Sequence, residues 1–349
     1  MKKKAIIFGS TGQDGSLLAE FLLNKKYQVY AFKRRTSLIQ TNRIDHLYYS
    51  NANKKNFYLD YCDITDPLNI CKIILDIKPN EIYNLAAQSH VAVSFKLPFY
   101  STIVDANGTL NILESIRISK LKKIKFYQAS SSEMYGDVLE FPQNENTPFN
   151  PVSPYACAKV YSYWIVKNYR RAYGIFASNG ILFNHEGETR GETFVTKKII
   201  NEVAKYHLTK KSNLELGNLY SFRDWGYSKD YVEGMWKILQ YKKPDDFVLA
   251  TNESYSVKDF VNEAFNQIDV KVKWIGKGLS EKGYDDSGNL IVKVNKKYFR
   301  PSEVDKLRGD YSKAKKYLNW KPKVKFKQLI SIMLKQEIRN LQSNENIKK

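Results

Sequence analysis

Short apolar runs alternate with segments of helical spacing along the first half of the chain. Lys4–Phe8 is an apolar run typical of a buried parallel strand, and a glycine-rich turn separates it from helically spaced apolar residues in 16–23. A second apolar run at 27–32 completes a strand–turn–helix–strand unit. Later pieces repeat this order, with strands predicted at 56–59, 81–85, 125–129 and 176–182 and helices at 68–77, 105–118 and 155–173. The alternation predicts an α/β fold, a doubly wound parallel sheet with helices on both faces.

From about residue 184 the alternation gives way to short apolar pieces among polar loops. We therefore expect a first, sheet-forming domain over 1–183, with later segments at roughly 220–252 returning to it. A smaller, interleaved α/β lobe is expected mainly over 184–340, and 341–349 is predicted to be a polar, frayed tail.

The composition narrows the class of protein. The 349-residue chain is 43% hydrophobic and 26% charged, which is typical of a globular protein and excludes a disordered one. Its net charge of +20 attracts anions, but the lysines are spread along the chain without a nucleic-acid-binding module, so we expect no nucleic-acid partner. No apolar run approaches the roughly 20 residues of a membrane span. The three cysteines have no metal spacing, which predicts free thiols in the cytoplasm and no metal site.

Glycines are spaced as G-x-x-G-x-x-G between the first strand and the first helix. This turn predicts a dinucleotide site, because glycines let the backbone approach a pyrophosphate and the helix N-terminus supplies N–H donors. Its members are Gly9, Thr11, Gly12, Gln13, Asp14 and Gly15.

Cations follow the second strand where NAD sites usually have an acidic residue. Arg34 and Arg35 suit the 2′-phosphate of NADP, so the sequence favours NADP over NAD, although solvated loop charges would give the same pattern. Asp63, after the third strand, is placed either to reach the adenine or to cap a turn.

Tyr155 and Lys159 are four residues apart, on one face of a predicted helix. We expect Lys159 to lower the pKa of Tyr155 from about 10, so that the phenolate accepts a proton while a hydride leaves the same carbon. The spacing alone is common by chance. It gains weight from the nucleotide turn and from Ser131 and Glu133, which directly follow the strand at 125–129.

These motifs resemble those of the extended short-chain dehydrogenase/reductases, and within them the GDP-mannose 4,6-dehydratase family. The matching segments cover nearly the whole chain: 9–23, 33–35, 43–46, 84–91, 129–136, 182–186, 194–199, 223–226, 229–232 and 298–305. Three stretches depart from the family pattern. Ser131 stands where the family usually has Thr, and Gly187–Thr189 and Tyr227–Ser228 replace other residues beside the expected ligand loops.

The resemblance implies a redox-neutral elimination. Tyr155 would take the 4-hydroxyl proton of a GDP-sugar as its C4 is oxidised, and Ser131 would bond the 4-oxygen. Glu133 would remove the C5 proton and assist loss of the 6-hydroxyl as water. An epimerase needs no such base.

The resemblance also implies which residues bind the ligands. Tightly bound NADP would contact the turn, the two arginines and further residues: Asp63, Ile64, Leu85, Ala87, Ser89, Tyr100, Lys159, His185 and Arg190. The GDP-sugar would contact Ser89, Ser132, Asn184, Val195, Lys198, Leu216, Gly217, Arg223, Arg300 and Glu303. The family forms dimers and tetramers, so a homo-oligomer, and specifically a tetramer, is expected.

Alternatives remain open at this point. The same reaction on GDP-D-glycero-D-manno-heptose fits the motifs, as does a GDP-sugar epimerase or 4-ketosugar reductase on the same fold. A non-catalytic dinucleotide-binding protein whose basic surface binds RNA would need neither Tyr155 nor Lys159.

Overall fold

The computed structural model describes residues 2–38, 40–300 and 302–348. Its strands are β1 (Lys4–Phe8), β2 (Gln28–Lys33), β3 (Phe57–Tyr61), β4 (Glu81–Asn84), β5 (Lys125–Ser131), β6 (Phe176–Leu182), β7 (Asn184–Glu186), β8 (Leu214–Leu216), β9 (Phe222–Arg223), β10 (Trp225–Tyr227), β11 (Phe247–Leu249), β12 (Tyr255–Ser256), β13 (Lys273–Ile275), β14 (Lys282–Tyr284) and β15 (Leu290–Val294).

Its α-helices are α1 (Gln13–Asn24), α2 (Asp45–Tyr48), α3 (Pro67–Ile77), α4 (Val91–Lys96), α5 (Pro98–Ser101), α6 (Gly108–Ser119), α7 (Pro154–Tyr173), α8 (Val195–Thr209), α9 (Ser228–Gln240), α10 (Val257–Asn266), α11 (Ser312–Leu318) and α12 (Phe326–Lys348). Other helical turns are a π-turn (Thr102–Asn107) and 3-10 turns at Ser132–Tyr135, Gly278–Ser280 and Lys296–Tyr298.

The central sheet has seven strands in the order β11-β6-β5-β4-β1-β2-β3, and every neighbouring pair is parallel. Buried apolar residues on both faces explain the near-continuous apolar runs of the strands. Helices α1 and α9 pack on one face through Leu18, Leu22 and Met235, and α3, α6 and α7 cover the other face. This is the doubly wound α/β fold predicted from the sequence.

The strand order reverses between β1 and β4, which lie side by side with Phe8 opposite Asn84. In open parallel sheets ligands bind beyond the carboxyl ends of the strands at this switch point. The loops after β1, β4 and β5 therefore meet at the edge where the candidate site residues lie.

A smaller sheet, β13-β14-β15-β8, belongs to the second half of the chain. Helices α8, α10 and α12 share a separate apolar core with it, which contains Trp225, Phe260 and Phe326. Strand β11 is the later segment that joins the central sheet, beside β6. The division of the chain at residue 183 stays a prediction.

Two elements differ from their predicted form. The helix predicted at 105–118 is the π-turn followed by α6, and the tail predicted to fray from 341 continues α12 as far as residue 348. No helix in the part of the chain that the structure describes is both long and apolar enough to cross a membrane.

Candidate active site

The glycine turn after β1 is fixed by close backbone contacts. Gly9 has φ +82°, and a Cβ there would lie 2.7 Å from the Ala86 nitrogen in the loop after β4. A Cβ on Gly15 would lie 2.2 Å from the Gly9 carbonyl oxygen. Helix α1 therefore packs against the turn at a distance that only glycine permits.

The N-terminus of α1 has the features of an anion site. Gly12 precedes the helix and provides no side-chain cap, so the first amides have no side-chain acceptor from it. Gly12 is exposed, and a Cβ on it would lie 3.4 Å from the Gly9 oxygen. The Gln13 Oε1 atom is buried without a hydrogen-bond partner among the described residues. The turn thus fits the pyrophosphate of a dinucleotide.

Asp14 and His185 form a pair across the turn. The His185 Nε2 atom lies 2.7 Å from Asp14 Oδ2, and its Nδ1 atom lies 2.7 Å from the Phe183 carbonyl. Burial is the largest single effect and opposes both charges, but the partner's charge and the hydrogen bonds together outweigh it, so the pKa of His185 is raised and that of Asp14 is lowered. The ring also stacks on Tyr231 at 4.7 Å. His185, predicted to contact the cofactor, has both ring nitrogens engaged within the protein.

The other predicted cofactor residues border the same edge. Leu85, Ala87 and Ser89 lie in the loop after β4. Arg34 and Arg35 are exposed after β2, with the Arg34 guanidinium carbon 5.8 Å from the Tyr100 ring centre.

Asp63 and Ile64 follow β3. The Asp63 carboxylate accepts hydrogen bonds from the Thr65 nitrogen and hydroxyl, at 3.0 and 2.9 Å, which is the turn-capping alternative for this residue. Ile64 is buried against Gly108, where a Cβ would lie 2.6 Å from its Cδ1.

The catalytic candidates converge where β5 ends and α7 begins. Ser131 is the last residue of β5, and its hydroxyl accepts a hydrogen bond of 3.2 Å from the Glu133 nitrogen. The Ser153 side chain and Pro154 set the start of α7, which places Tyr155 in its first turn. Tyr155 is buried, and Ser131 is close enough to influence its pKa. Ser132 is buried in the 3-10 turn that follows β5.

The protonation of Tyr155 differs from the sequence prediction. Its pKa is raised well above 10, mainly by burial and then by the charge of Asp105, while the Ser131 hydrogen bond works in the opposite direction. The largest contributions to this shift of the Tyr155 pKa do not come from Lys159. Its Nζ atom donates to the Ala129 carbonyl at 3.0 Å and lies 5.7 Å from the Tyr155 ring centre. The net shift of the Tyr155 pKa is therefore upward, opposite to the lowering predicted from the sequence.

Asp105 is a site residue that the sequence motifs did not single out. It lies on the π-turn, is 1% exposed, and has its Oδ2 atom buried without a partner among the described residues. Burial raises its pKa to about 6 against the opposing charge of Lys159. One feature of the sequence could have identified Asp105: its carboxylate lies on the same helical stripe as the apolar residues Ile112 and Ile116.

The charge of Glu133 acts on both Tyr155 and Arg223, so this carboxylate lies between the catalytic and the substrate-binding candidates. Arg223 is buried and donates to the Val304 carbonyl at 2.7 Å. Its guanidinium also lies 3.9 Å from Glu303 and near Arg300. Burial lowers the Arg223 pKa despite the neighbouring carboxylates.

The remaining substrate candidates surround β7, α8 and β8. Lys198 lies 3.5 Å from the Tyr298 ring centre and donates to the Glu215 carbonyl. Leu216 is buried, and a Cβ on Gly217 would lie 2.6 Å from the Tyr298 carbonyl oxygen. Val195 is exposed. The Asn184 Oδ1 atom is buried without a partner among the described residues, which leaves it free for a ligand donor.

Arg190 pairs with Glu186 at 2.9 Å and lies 3.7 Å from the Phe194 ring centre. Its charge lowers the pKa of both Tyr155 and Asp14, so it lies between the catalytic residues and the glycine turn.

Two departures from the family pattern contact each other. A Cβ on Gly187 would lie 2.4 Å from the Ser228 hydroxyl, and the Tyr227 hydroxyl donates to Glu188 at 3.0 Å. The changes at 187–189 and 227–228 are thus structurally coupled.

Within the described ranges, no group of three or more His, Cys, Asp or Glu side chains is arranged to hold a metal ion.

Proteins of a known family match this chain over nearly its whole length. A family model described as GDP-mannose 4,6 dehydratase matches residues 6–333. A GDP-mannose 4,6 dehydratase from Drosophila melanogaster is 54% identical over 346 residues, 98% of this chain and 88% of that protein. One from Vibrio cholerae serotype O1 is 50% identical over 361 residues, covering 100% of this chain and 97% of that protein.

Among solved structures, a dTDP-glucose 4,6-dehydratase from Bacillus anthracis in complex with NAD has the same fold. Its TM-score is 0.80 at 19% identity, with 97% of this chain and 98% of that chain covered.

Proposed function

The chain belongs to the GDP-mannose 4,6-dehydratase family, and from that premise we propose that it removes water from GDP-mannose to give the 4-keto-6-deoxy sugar. The observation that carries this function is the grouping of Ser131, Glu133 and Tyr155 beside the glycine turn. An epimerase or ketoreductase needs the serine and the tyrosine, but it has no use for a carboxylate in the place of Glu133.

The site fits a nicotinamide dinucleotide, because Gly9 and Gly15 have room only for a backbone and exposed Gly12 leads into the N-terminus of α1. When bound, this cofactor supplies a reversible hydride acceptor, which the protein itself lacks. We further propose that it is NADP, since exposed Arg34 and Arg35 provide cations for a 2′-phosphate. The residues proposed to line it are Leu85, Ala87, Ser89, Tyr100, Lys159 and Arg190.

We assign Tyr155 the proton of the sugar 4-hydroxyl and Ser131 a hydrogen bond to the 4-oxygen. Tyr155 can accept this proton only as a phenolate, and its surroundings pull in both directions. Burial, Asp105 and Glu133 oppose ionisation, whereas Ser131 and Arg190 favour it. Substrate binding therefore acts on a tyrosine whose pKa several neighbours control.

We assign Glu133 the second proton transfer. Oxidation at C4 acidifies the C5 proton, because the resulting carbanion is an enolate. The Glu133 carboxylate takes this proton and delivers it to the leaving 6-hydroxyl, so that water departs and a C5=C6 double bond remains. Return of the hydride to C6 and of a proton to C5 would then give the 4-keto-6-deoxy sugar with no net oxidation. Ser131 caps the 3-10 turn that contains Glu133, so the Ser131 and Glu133 side chains lie two residues apart on one short segment.

Three cations are proposed to hold the GDP diphosphate: Lys198, Arg223 and Arg300. Arg223 is already buried beside Glu303, so it needs little reorganisation to bind an anion. Glu303 is proposed to accept hydrogen bonds from the ribose hydroxyls, and Asn184 supplies a free acceptor. The remaining contacts with the GDP-sugar would come from Ser132, Val195, Leu216 and Gly217.

We also propose that the protein is a cytoplasmic homo-oligomer, specifically a tetramer. Helix α7 exposes 41% of Tyr161 and 55% of Trp164, two large side chains that a partner subunit would cover. The free thiols Cys62, Cys71 and Cys157 suit a reducing compartment.

Mass spectrometry of the purified protein with GDP-mannose, without an external reductant, tests the function. We expect loss of one water, abolished by Glu133→Gln, and release of NADP on denaturation. The same assay with GDP-D-glycero-D-manno-heptose should give a lower kcat/KM. An unchanged sugar mass, from folded protein that carries its cofactor, would exclude the dehydratase.

A further inference from the structure

One buried charge at the site has no part in the chemistry described above. Asp105 is 1% exposed, so protein atoms rather than solvent surround its carboxylate. A carboxylate buried this deeply is costly unless a positive charge or several hydrogen bonds compensate it.

The chain fixes Asp105 through three contacts. Its Oδ1 atom accepts a hydrogen bond of 2.7 Å from the Gln88 nitrogen, in the loop after β4. Its backbone carbonyl oxygen accepts a hydrogen bond of 2.6 Å from the Ser162 hydroxyl and another of 3.1 Å from the Thr109 hydroxyl. Ser162 lies on α7 one turn after Lys159, so the π-turn is tied to the helix face that presents Tyr155 and Lys159.

The second carboxylate oxygen has no such contact. Asp105 Oδ2 is buried without a hydrogen-bond partner among the described residues. Single turns of π-helix within helices are frequently found at functional sites. Here the π-turn stands in place of the first turn of the helix predicted at 105–118. The backbone is thus distorted at the point where a carboxylate enters the site.

Lys159 needs such a carboxylate. Its ammonium is buried, and among the residues that the structure describes it donates to one acceptor, the Ala129 carbonyl at 3.0 Å. Burial lowers the pKa of Lys159, and Asp105 is the charge that opposes this effect. A neutral Lys159 would leave a Tyr155 phenolate without a neighbouring cation on the same helix face.

We infer that Asp105 is a positioning residue whose buried carboxylate is the counter-charge that keeps Lys159 protonated beside Tyr155. The inference rests on the proposed function, which needs Lys159 as a cation. The charged and titratable groups that act on this cluster are Lys159, Tyr155, Glu133 and Arg190.

The carboxylate has opposite consequences for its two neighbours. It favours the charged form of Lys159 and disfavours the charged form of Tyr155. Removing it therefore lowers both pKa values. Because activity needs Tyr155 ionised and Lys159 protonated, both limbs of the pH profile must move to lower pH together.

The test compares Asp105→Asn with Ser162→Ala in the cofactor-loaded enzyme. Asparagine keeps an acceptor for the Gln88 nitrogen, so the change removes charge with little change of shape. We expect both limbs of the kcat/KM profile to shift to lower pH in Asp105→Asn. Ser162→Ala loosens the same turn without changing charge, and it should lower the rate with both limbs in place. Unmoved limbs in Asp105→Asn would overturn the inference.

A second measurement depends neither on activity nor on the Asp105→Asn variant. Incorporated ¹³Cε-lysine reports the charge of Lys159 by NMR in the wild-type protein, with the signal assigned from Lys159→Arg. We expect this signal to show an inflection at about pH 6, where Asp105 titrates. Its absence would contradict the inference whether or not water loss is observed, whereas an inflection in a protein without dehydratase activity would refute only the proposed function.

Discussion

The glycine turn and the catalytic pocket are neighbours, but they are built on different physical principles. In the turn, Gly9 and Gly15 let backbone atoms approach within distances that any Cβ would obstruct. In the pocket, Tyr155 and Lys159 come from α7, Asp105 from the π-turn and Glu133 from a 3-10 turn, and charge and burial decide their behaviour. The close backbone fit at Gly9 and Gly15 tolerates no substituent. Charge balance is shared among distant residues and can be altered without loss of the fold.

The largest expected effect separates chemistry from stability in the pocket. Tyr155→Phe keeps the buried ring and removes only the hydroxyl that is proposed to accept the sugar proton. We expect kcat to fall by about 10²–10⁴-fold, as for loss of a general base, with little change in Tm. The matched control is Tyr163→Phe, on the same helix, where the hydroxyl bonds Asp246 at 3.4 Å. If both variants lost activity equally, Tyr155 would have no special role.

The second-largest effect is expected in the glycine turn, as a decrease in the free energy of unfolding. Gly15→Ala places a Cβ 2.2 Å from a backbone oxygen that cannot move without displacing β1. We expect a loss of about 3 kcal/mol in the free energy of unfolding, the upper end for overpacking, with loss of bound cofactor. Urea denaturation measures it.

Gly12→Ala is the control for the turn, because its Cβ would make an ordinary contact at 3.4 Å. This variant should unfold like the wild type but bind the dinucleotide more weakly. Equal stability of the two variants would show that close packing does not define the turn.

The smallest effect lies on the boundary between the two regions, at the Asp14–His185 pair. His185→Asn removes the positive partner of Asp14, and we expect a loss of about 1–2 kcal/mol, within the range for leaving a buried group unpaired. The raised pKa of His185 means that its contribution is complete below about pH 6.5 and disappears as the pH rises through the raised value. The lowered pKa of Asp14 means that its contribution is present above about pH 4 and disappears in acid.

The destabilisation by His185→Asn should therefore be largest between about pH 4 and 6.5 and shrink at alkaline pH. Unfolding free energies measured near pH 5.5 and near pH 9 check this. A loss of the same size at both values would mean that His185 stabilises the turn by packing on Tyr231 and not by charge.

The sequence determined those features that depend on short-range order along the chain. Apolar runs fixed the strands of the central sheet, because a strand buried on both faces must be apolar throughout. The glycine spacing fixed the phosphate turn, because its geometry depends on neighbouring residues. The i, i+4 spacing placed Tyr155 and Lys159 on one helix face, and Ser131 and Glu133 followed from their position after β5.

Only the tertiary structure decided which titratable groups lie close to one another. Asp105 lies 50 residues before Tyr155, and no local pattern announces that the π-turn buries it beside α7. The raised pKa of Tyr155, the pairing of His185 with Asp14 and the contact between Tyr227 and Glu188 likewise arise between distant segments. Electrostatic interactions depend on distance and burial in three dimensions, so residue spacing along the chain could name the reacting groups but not their protonation.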